Sequence, residues 1–322
     1  MDMKRRLEEI NHLKIFSGNA NPALAKKICE HLSIQLGNAH VGRFPDGEID
    51  LKVNEDVRGA DVFLVQPTCS PVNENLTELL IFIDCLKRAS AARITAVLPY
   101  YGYARKDRKD EGRVPITAKL VANIITEAGA DRVLTVDLHA AQIQGFFDIP
   151  VDHLLAFPVI SKYFERLALS DLVVVTPDVG GIKLARNYSK KLGIKMAIVD
   201  KRRVGPEETE IGFVIGDVAN KNVVMIDDLI ATGGSIAQAA NVLKERGAKD
   251  IYVGATHPVF CGSAVEKLSA APIKEIIVTD TIPLSEKAKG LKDKIKVLSI
   301  SGLLGDAIMR IHRHESVSSL FV

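Results

Sequence analysis

The chain has 322 residues, of which 47% are hydrophobic and 25% are charged, and its 42 basic and 40 acidic residues leave a net charge of +2. This composition is ordinary for a globular protein of about two domains. The balanced charge excludes a strongly basic nucleic-acid or membrane-surface binder, so we expect neither as the main partner. No apolar run approaches the length of a transmembrane helix, which is about 20 residues.

The N-terminus and the cysteines indicate the compartment. The first residues are basic but no apolar segment follows them, so they do not form a secretory signal. Cys29, Cys69, Cys85 and Cys261 show neither paired spacing nor a zinc pattern. We therefore expect a cytoplasmic protein with free thiols.

Strands and helices alternate along the chain. Short apolar runs predict strands at residues 13–16, 62–65, 94–98, 133–137, 173–176, 196–199, 223–226, 251–255, 276–279 and 295–299. Helical spacing of apolar residues predicts helices at residues 21–32, 76–88, 116–128, 182–192 and 236–246. This alternation predicts an α/β fold with mainly parallel sheets.

The chain is also internally repeated. A predicted strand that ends in Gln66 and Pro67 is followed by a helix and a second strand. The same order recurs later in the chain, where a strand that ends in Asp227 and Asp228 is followed by a helix and a strand. The repeat predicts two similar domains and a sugar-phosphate site in the second. We expect the first at residues 13–154, completed by residues 305–322, and the second at residues 155–304.

The stretch VVMIDDLIATGGS, residues 223–235, joins a predicted strand, two carboxylates and a loop of small residues before a helix. Backbone N–H groups in such a loop and at a helix N-terminus favour a phosphate. Asp227 and Asp228, expected directly after the strand, suit two neighbouring ribose hydroxyls. No Lys follows the glycines, which excludes a Walker A loop, and the dinucleotide Gly-x-Gly spacing is absent. An ordinary strand–turn–helix with a capping Ser or Thr is the alternative.

Two stretches in the first half combine aromatic and charged residues. FPDGE, residues 44–48, is a turn signal, and a plain β-turn explains it equally well. PYYGYARKDRK, residues 99–109, follows a predicted strand. Its basic residues suit phosphate and its tyrosines suit stacking on a base, while a solvated basic loop is the alternative.

Polar residues also follow two other predicted strands. His139 follows residues 133–137 and suits a metal or a phosphate oxygen, although a lone His is more often structural. Asp178 follows residues 173–176, at the edge where open α/β folds bind ligands. We expect Gly180 and Gly181 to expose N–H groups to a second anion, such as a diphosphate.

Lys201 and Arg203 belong to a run of three cations directly after a predicted strand, and Gly205 and Pro206 follow in a predicted mobile loop. Cations on a closing loop neutralise the charge that develops on phosphoryl oxygens during transfer. A solvated charge run is the alternative. The metal candidate and the two anion loops of the same chain favour the catalytic interpretation.

The motifs FPDGE, YYGYAR, VDLHAAQIQGFFDIPVD, VDKRR, DDLIATGGS and SVSSLF follow one another in the order found in ribose-phosphate diphosphokinases. The chain resembles this family, in its phosphate-activated bacterial class, over nearly its whole length. Its DDLIATGGS stretch is similar to the signature of type I phosphoribosyltransferase folds. The resemblance implies two such Rossmann-like domains, Mg²⁺ as cofactor, a homo-oligomer that is a hexamer, and transfer of a diphosphoryl group from ATP to ribose 5-phosphate with release of AMP.

The resemblance also implies residue roles. The nucleotide residues would be Phe44, Asp46, Gly47, Glu48, Arg105 and Lys106. The metal residues would be His139 and Asp178, and the diphosphate loop would be Asp178, Gly180 and Gly181. The ribose 5-phosphate residues would be Asp227, Asp228, Ala231, Thr232, Gly233, Gly234 and Ser235. The transition-state cations would be Lys201 and Arg203.

Four positions depart from the family pattern. Ala231 stands where Asp is common, which leaves its N–H for phosphate but no side-chain role, and Lys106 replaces a usual Gln. Asp110 and Glu111 bring negative charge to a loop where the family has an Arg-Ser pair. In the family this loop helps to form an anion site, with neighbouring subunits, where inorganic phosphate activates and ADP inhibits. The groups that remain for a weakened site here are the cations Arg108, Lys109 and Arg113 and the hydroxyls of Ser316 and Ser318.

Two other functions stay open from the residues alone. A phosphoribosyltransferase that uses the diphosphate product would explain the second-domain site, but neither FPDGE nor the need for Lys201 and Arg203. A non-catalytic regulatory subunit would keep the fold and lack working site residues. The retained His139, Asp178, Lys201 and Arg203 argue against that function.

Overall fold

A computed structural model describes residues 12–203 and 209–321. Their contacts divide the chain into two compact units. Unit 1 contains residues 12–155 and 300–321, and unit 2 contains the described residues from 156 to 299. Each unit has a central, mainly parallel sheet with helices between its strands, which confirms the predicted α/β fold class.

The elements of both units follow in chain order. Up to residue 155, unit 1 has β1 (Leu13–Ser17), α1 (Pro22–Leu32), β2 (Ala39–Arg43), β3 (Ile49–Val53), β4 (Asp61–Val65), α2 (Val72–Arg88), β5 (Arg93–Leu98), α3 (Thr117–Ala128), β6 (Arg132–Val136) and β7 (Val151–Leu154). Unit 2 has α4 (Phe157–Leu167), β8 (Leu172–Thr176), α5 (Ile182–Leu192), β9 (Lys195–Arg203), β10 (Thr209–Ile215), β11 (Asn222–Ile230), α6 (Gly234–Glu245), β12 (Ile251–Pro258), α7 (Ala264–Ala270), β13 (Glu275–Thr279) and β14 (Ile295–Leu298). Unit 1 resumes with α8 (Ser301–His312).

The order of the five strands in the sheet of unit 1 recurs in five of the seven strands of the sheet of unit 2. The sheet of unit 1 runs β1-β4-β5-β6-β7 and is parallel throughout, while β2 and β3 form a separate antiparallel hairpin. The sheet of unit 2 runs β10-β9-β8-β11-β12-β13-β14, and β10 is antiparallel to β9. The segments β4–α2–β5 and β11–α6–β12 therefore hold corresponding places, which agrees with the repeat in the sequence.

Continuous apolar strands form the centre of each sheet. Residues 62–65 of β4 and residues 223–226 of β11 are all buried, as expected of parallel strands that are covered on both faces. Each unit has its own hydrophobic cluster, built from these strands and the apolar faces of the adjacent helices. The carboxyl ends of the strands are thus held on a packed scaffold.

Helix α8 returns the chain to unit 1 by packing against α1. His31 Nε2 lies 2.8 Å from Asp306 Oδ1. His312 Nδ1 lies 2.7 Å from Asp61 Oδ2, and Arg93 Nη2 donates to the Ile311 carbonyl oxygen at 3.1 Å.

Several boundaries differ from the sequence predictions. The prediction missed β2, β3, β7, β10, α4, α7 and α8. Strand β11 continues to Ile230, so Asp227 and Asp228 lie within the strand and not after it. The extension exists because β12 keeps pairing with β11 up to Pro258, whereas the pairing with β8 stops at Met225. In the part of the chain described, no helix has the length and apolarity needed to cross a membrane.

Candidate active site

Three carboxylates of unit 2 lie close together at the carboxyl edge of its sheet. Asp227 and Asp228 stand on β11 beyond the last residue that pairs with β8, and Asp178 follows β8. Burial raises the pKa of Asp227 well above its ordinary value, and the negative charges of Asp228 and Asp178 raise it further. Such a site favours groups that neutralise or hydrogen-bond carboxylates, namely a cation or sugar hydroxyls.

The loop after β11 leads directly into the N-terminus of α6. Gly233 has φ 69°, and a Cβ there would lie 3.3 Å from the Ala264 carbonyl oxygen, so the position requires glycine. The first hydrogen bond of the helix runs from Ala237 N–H to the Gly233 carbonyl oxygen, at 2.9 Å. The N–H groups before Ala237 therefore have no partner within the helix, and no described side chain caps them. This arrangement fits a phosphate.

Lys267 is a candidate that the sequence analysis missed. It belongs to α7, which packs against α6, and its Nζ lies 3.8 Å from the place where a Cβ on Gly234 would stand. A cation beside the positive end of a helix is unfavourable unless an anion lies between them. Lys267 sits in an exposed helical position far along the chain from the loop, so no local pattern pointed to it.

The turn after β8 differs from its prediction. Asp178 Oδ1 accepts a hydrogen bond from the N–H of Gly181 at 3.1 Å, and Thr176 Oγ1 donates to the carbonyl oxygen of Asp178 at 2.7 Å. The N–H of Gly181 is therefore occupied, because an Asp side chain readily folds back onto the backbone just after it. A Cβ on Gly181 would lie 2.2 Å from Thr176 Oγ1. Gly180 remains exposed.

The nucleotide candidates of unit 1 begin with the turn between β2 and β3. Phe44 N–H donates to the Glu48 carbonyl oxygen at 2.8 Å, and Asp46 Oδ1 accepts from Glu48 N–H at 3.1 Å. Gly47 has φ 95°, so glycine is needed there. Phe44 is 48% exposed, with its aromatic ring at the tip of the hairpin. The turn predicted from FPDGE is thus present, and its ring is available to stack on a base.

The other candidates of unit 1 are exposed. Arg105 and Lys106 lie in the segment between β5 and α3, and the ammonium of Lys106 pairs with Asp110 at 3.1 Å. His139 follows β6, next to Leu138, whose N–H donates to His153 Nε2 at 2.9 Å. The residues of the predicted anion site are also exposed: Arg108, Arg113, Ser316 and Ser318.

The structure describes the backbones of the two predicted catalytic cations but not their side chains. The backbones of Lys201 and Arg203 end β9, paired with β10. Their side chains, and the predicted mobile loop with Gly205 and Pro206, lie outside the described residues.

The donor set of unit 2 fits Mg²⁺. Within the described residues, no group of three or more His, Cys, Asp or Glu side chains is arranged to hold a metal by itself. Mg²⁺ commonly takes only one or two protein carboxylates and completes its shell with water and substrate phosphates. Asp178 beside the Asp227–Asp228 pair offers oxygen ligands of this kind.

Comparisons with known proteins agree with these features. Residues 13–129 match the family model described as the N-terminal domain of ribose phosphate pyrophosphokinase, and residues 204–322 match the phosphoribosyl synthetase-associated domain. The ribose-phosphate pyrophosphokinase of Rhodopirellula baltica is 58% identical over 97% of this chain and 99% of its own length. That of Caldanaerobacter subterraneus is 56% identical over 97% of this chain and 98% of its own length.

A solved structure extends the likeness to the fold. The crystal structure of phosphoribosylpyrophosphate synthetase from Mycobacterium smegmatis has a TM-score of 0.87 and 41% identity, and the match covers 94% of this chain and 99% of that one. The chain belongs to the ribose-phosphate pyrophosphokinase family, which is the diphosphokinase family that its motifs resemble.

Proposed function

We propose that this protein transfers the diphosphoryl group of ATP to the 1-hydroxyl of ribose 5-phosphate, forming 5-phosphoribosyl 1-diphosphate and AMP. The observation that carries the proposal is the strand–loop–helix of unit 2, where the Asp227–Asp228 pair precedes the uncapped N-terminus of α6. A family membership that extends over almost the whole chain supports the same reaction. Each unit would then be one phosphoribosyltransferase-like domain.

Unit 2 would bind the sugar phosphate. Asp227 and Asp228 would accept hydrogen bonds from the 2- and 3-hydroxyls of the ribose, because carboxylates are strong acceptors. The 5-phosphate would bind the backbone N–H groups of the loop and of the first turn of α6. Lys267 would add a cation to this phosphate, since its ammonium already lies beside Gly234. The side chains that complete the loop are those of Ala231, Thr232 and Ser235.

Unit 1 would bind the nucleotide. Phe44 would stack on the adenine, while Asp46, Gly47 and Glu48 would provide polar groups at its edge. Arg105 and Lys106 would contact the phosphates. Lys106 already pairs with Asp110, so that pair would have to open or share its cation.

The transfer itself requires mainly positioning and neutralisation. The 1-hydroxyl oxygen attacks the β-phosphorus of ATP, the bond from that phosphorus to the oxygen shared with the α-phosphorus breaks, and AMP leaves as the hydroxyl proton is lost. Lys201 and Arg203 would neutralise charge that develops on the transferred group. Correct placement of the two substrates supplies much of the rate enhancement.

Asp178 would hold Mg²⁺, which would supply charge neutralisation and a template for the phosphates. The family resemblance also implies a metal role for His139 of unit 1. The N–H of Gly181 orients the Asp178 carboxylate at 3.1 Å. Asp178 would also form the diphosphate loop with Gly180, while the N–H of Gly181 would reach a diphosphate only by leaving Asp178. The family resemblance supports a homo-oligomer, and we propose a hexamer, which light scattering of the purified protein would test.

One assay tests the proposed reaction. The protein is mixed with ATP, Mg²⁺ and ribose 5-phosphate, and AMP is measured with and without the sugar. We expect AMP only when the sugar is present. A regulatory subunit would form none, and a phosphoribosyltransferase would instead release diphosphate when given 5-phosphoribosyl 1-diphosphate and a base. Absence of AMP from the complete mixture would refute the proposal.

A further inference from the structure

Unit 1 contains a buried carboxylate on α2. Glu78 of α2 is only 3% exposed. Its oxygens accept three hydrogen bonds, from the backbone N–H of Asn19 at 2.6 Å, from Asn19 Nδ2 at 2.9 Å and from Gln66 Nε2 at 2.8 Å. A buried carboxylate is costly unless its oxygens are satisfied in this way. The sequence offers no hint of the cluster, because Glu78 looks like an ordinary solvated helix position.

The segment before α1 is shaped to reach this carboxylate. Gln66 Oε1 accepts from the N–H of Ala20 at 3.1 Å, so the amide of Gln66 bridges the segment and Glu78. A Cβ on Gly18 would lie 2.4 Å from Gln66 Oε1 and 2.7 Å from Glu78 Oε1. Glycine is therefore what allows the segment to approach so closely, and Asn19 is held firmly as a result.

Asn19 connects the cluster to the nucleotide hairpin. Its Nδ2 donates to Glu78 Oε2 and also to the carbonyl oxygen of Val41, at 3.1 Å. Both protons of the amide are thereby used. Val41 lies in β2, which leads directly into the turn at residues 44–48. The buried carboxylate thus fixes an amide that holds the strand entering the turn.

A second link starts one helical turn earlier on the same face of α2. Glu74 Oε2 lies 2.5 Å from Arg43 Nη2, and Arg43 Nη1 donates to the carbonyl oxygen of Gly47 at 3.2 Å. Residues four apart on a helix lie on the same face, so Glu74 and Glu78 project from the same side of α2. Arg43 therefore connects α2 to the turn itself.

These links are directional, whereas the apolar part of the attachment is not. A two-stranded hairpin is marginally stable alone. Val41 and Leu51 pack on the core of unit 1, which attaches the hairpin but fixes its orientation only loosely. The two polar links attach the hairpin near the turn, at Val41 and Gly47, and so constrain where the exposed turn lies.

We propose that Asn19 and Glu74 are positioning residues for nucleotide binding. Asn19 connects the buried Glu78 to β2, and Glu74 connects α2, through Arg43, to Gly47. This inference rests on the proposed function, in which the turn at residues 44–48 binds the adenine. In this proposal each residue acts through the hairpin and not by contact with the substrate.

The test is steady-state kinetics of Asn19→Ala and Glu74→Gln, with ATP and ribose 5-phosphate varied separately. We expect the KM for ATP to rise about fivefold in each variant, the factor that corresponds to one net hydrogen bond. The KM for ribose 5-phosphate stays unchanged, and the preference for ATP over GTP falls. A merely structural role would lower the active fraction and hence kcat, and would leave both KM values alone.

Two matched controls are available. Asp84→Asn removes an exposed ion pair of the same helix, with Arg88 at 2.7 Å. Asn54→Ala removes an amide hydrogen bond to Asn38, 3.3 Å long, at the end of the hairpin away from the turn. Both controls should keep the KM for ATP of the unsubstituted protein.

The outcomes separate the two proposals. If the unsubstituted protein forms no AMP, both the proposed function and this inference fail. If it forms AMP but Asn19→Ala and Glu74→Gln keep its KM for ATP, or match the controls, only the inference fails. An equal rise in the KM values for both substrates would also refute it. Thermal melts confirm that each variant is folded, and both substituted residues are exposed enough that folding should be retained.

Discussion

Lys106 donates to both carboxylate oxygens of Asp110, at 3.2 and 3.1 Å. This hydrogen bond lowers the pKa of Asp110, and the charges of Lys106 and Arg108 lower it further. The carboxylate therefore stays ionised and occupies a cation that would otherwise face an incoming anion. We therefore expect Asp110 to weaken anion binding in this loop in two ways, by its own charge and by holding Lys106.

We therefore expect shallower phosphate activation and weaker allosteric ADP inhibition than is usual in the family. The double variant Asp110→Asn/Glu111→Gln should lower the half-activating phosphate concentration several-fold, because it removes two like charges and releases Lys106. The measurement is a phosphate titration of the initial rate, with ADP added at saturating ATP. Asp217→Asn, which breaks a similar exposed pair with Lys221, is the control. Strict phosphate dependence and strong ADP inhibition in the unsubstituted protein would contradict this expectation.

The carboxylate pair should determine sugar binding. Asp227→Asn or Asp228→Asn should raise the KM for ribose 5-phosphate about fivefold, because a carboxylate accepts hydroxyl hydrogen bonds about twice as strongly as an amide. Asp250→Asn, at the opposite edge of the same sheet, should leave that KM unchanged. An unaltered sugar KM in both site variants would remove the pair from the ribose site.

Lys267 should contribute to the 5-phosphate site. Lys267→Met keeps the aliphatic stem and removes the charge, and we expect the KM for ribose 5-phosphate to rise about tenfold, since hydrogen bonds to charged groups contribute more than neutral ones. Unphosphorylated ribose, tested as a competitor, should bind both proteins equally. Lys249→Met, just before β12 and hence at the far edge of the sheet, is the charge-matched control. A sugar KM equal to that of the control variant would refute the contact.

The cations at the end of β9 should act on the rate. Lys201→Ala and Arg203→Ala should each lower kcat by roughly a hundredfold, the effect of removing one group that stabilises a transition-state charge. The KM for ATP should change far less, because groups engaged only in the transition state contribute little to substrate affinity. Steady-state kinetics at saturating sugar measures both quantities. Normal kcat with poor ATP affinity would assign these residues to ground-state binding.

Asp61 should make the stability of unit 1 depend on pH in the acid range. Burial alone raises its pKa, but hydrogen bonds from His312 and Arg93 outweigh burial, so the pKa of Asp61 is lowered on folding. A lowered pKa stabilises the fold above about pH 4, the unfolded value, and that contribution is lost as the pH falls further. Asp61→Asn should therefore cost about 2 kcal/mol at neutral pH and flatten the decline of Tm below pH 4. Thermal melts from pH 3 to 7 provide the measurement.

Asp84→Asn is the control for that experiment, since the Asp84 carboxylate is half exposed and pairs with Arg88 on the same helix. It should reproduce the acid profile of the unsubstituted protein. A parallel loss of Tm in Asp61→Asn and the unsubstituted protein below pH 4 would show that Asp61 does not titrate in the expected range.

The sequence predicted the strands whose apolar runs are continuous, and missed those whose pattern is mixed. Strand β4 is buried on both faces and was predicted, whereas β2 is only partly buried and carries a glycine. Strand β3 alternates apolar and polar residues, Ile-Asp-Leu-Lys-Val, and this signal could have been used. Helix α4 carries Pro158 in its first turn, where proline is tolerated although it often marks a break.

For the candidate site, local patterns were informative and long-range contacts were not. The acid pair and the glycine loop are adjacent in sequence, so their combination was visible. The approach of Lys267 to Gly234, and of Asn19 to Glu78, depends on how helices and strands pack. The occupied N–H of Gly181 depends on the rotamer of Asp178, which no spacing rule specifies.

Unit 1 is assembled from both ends of the described chain, and this affects the order of folding during synthesis. Domains usually fold in the order in which they leave the ribosome, the N-terminal one first. Here all of residues 156–299 emerge before α8 does, so unit 2 has its complete sequence while Asp61 still lacks His312 and Arg93 still lacks the Ile311 carbonyl. The half of the protein that is translated first is therefore the half that is completed last.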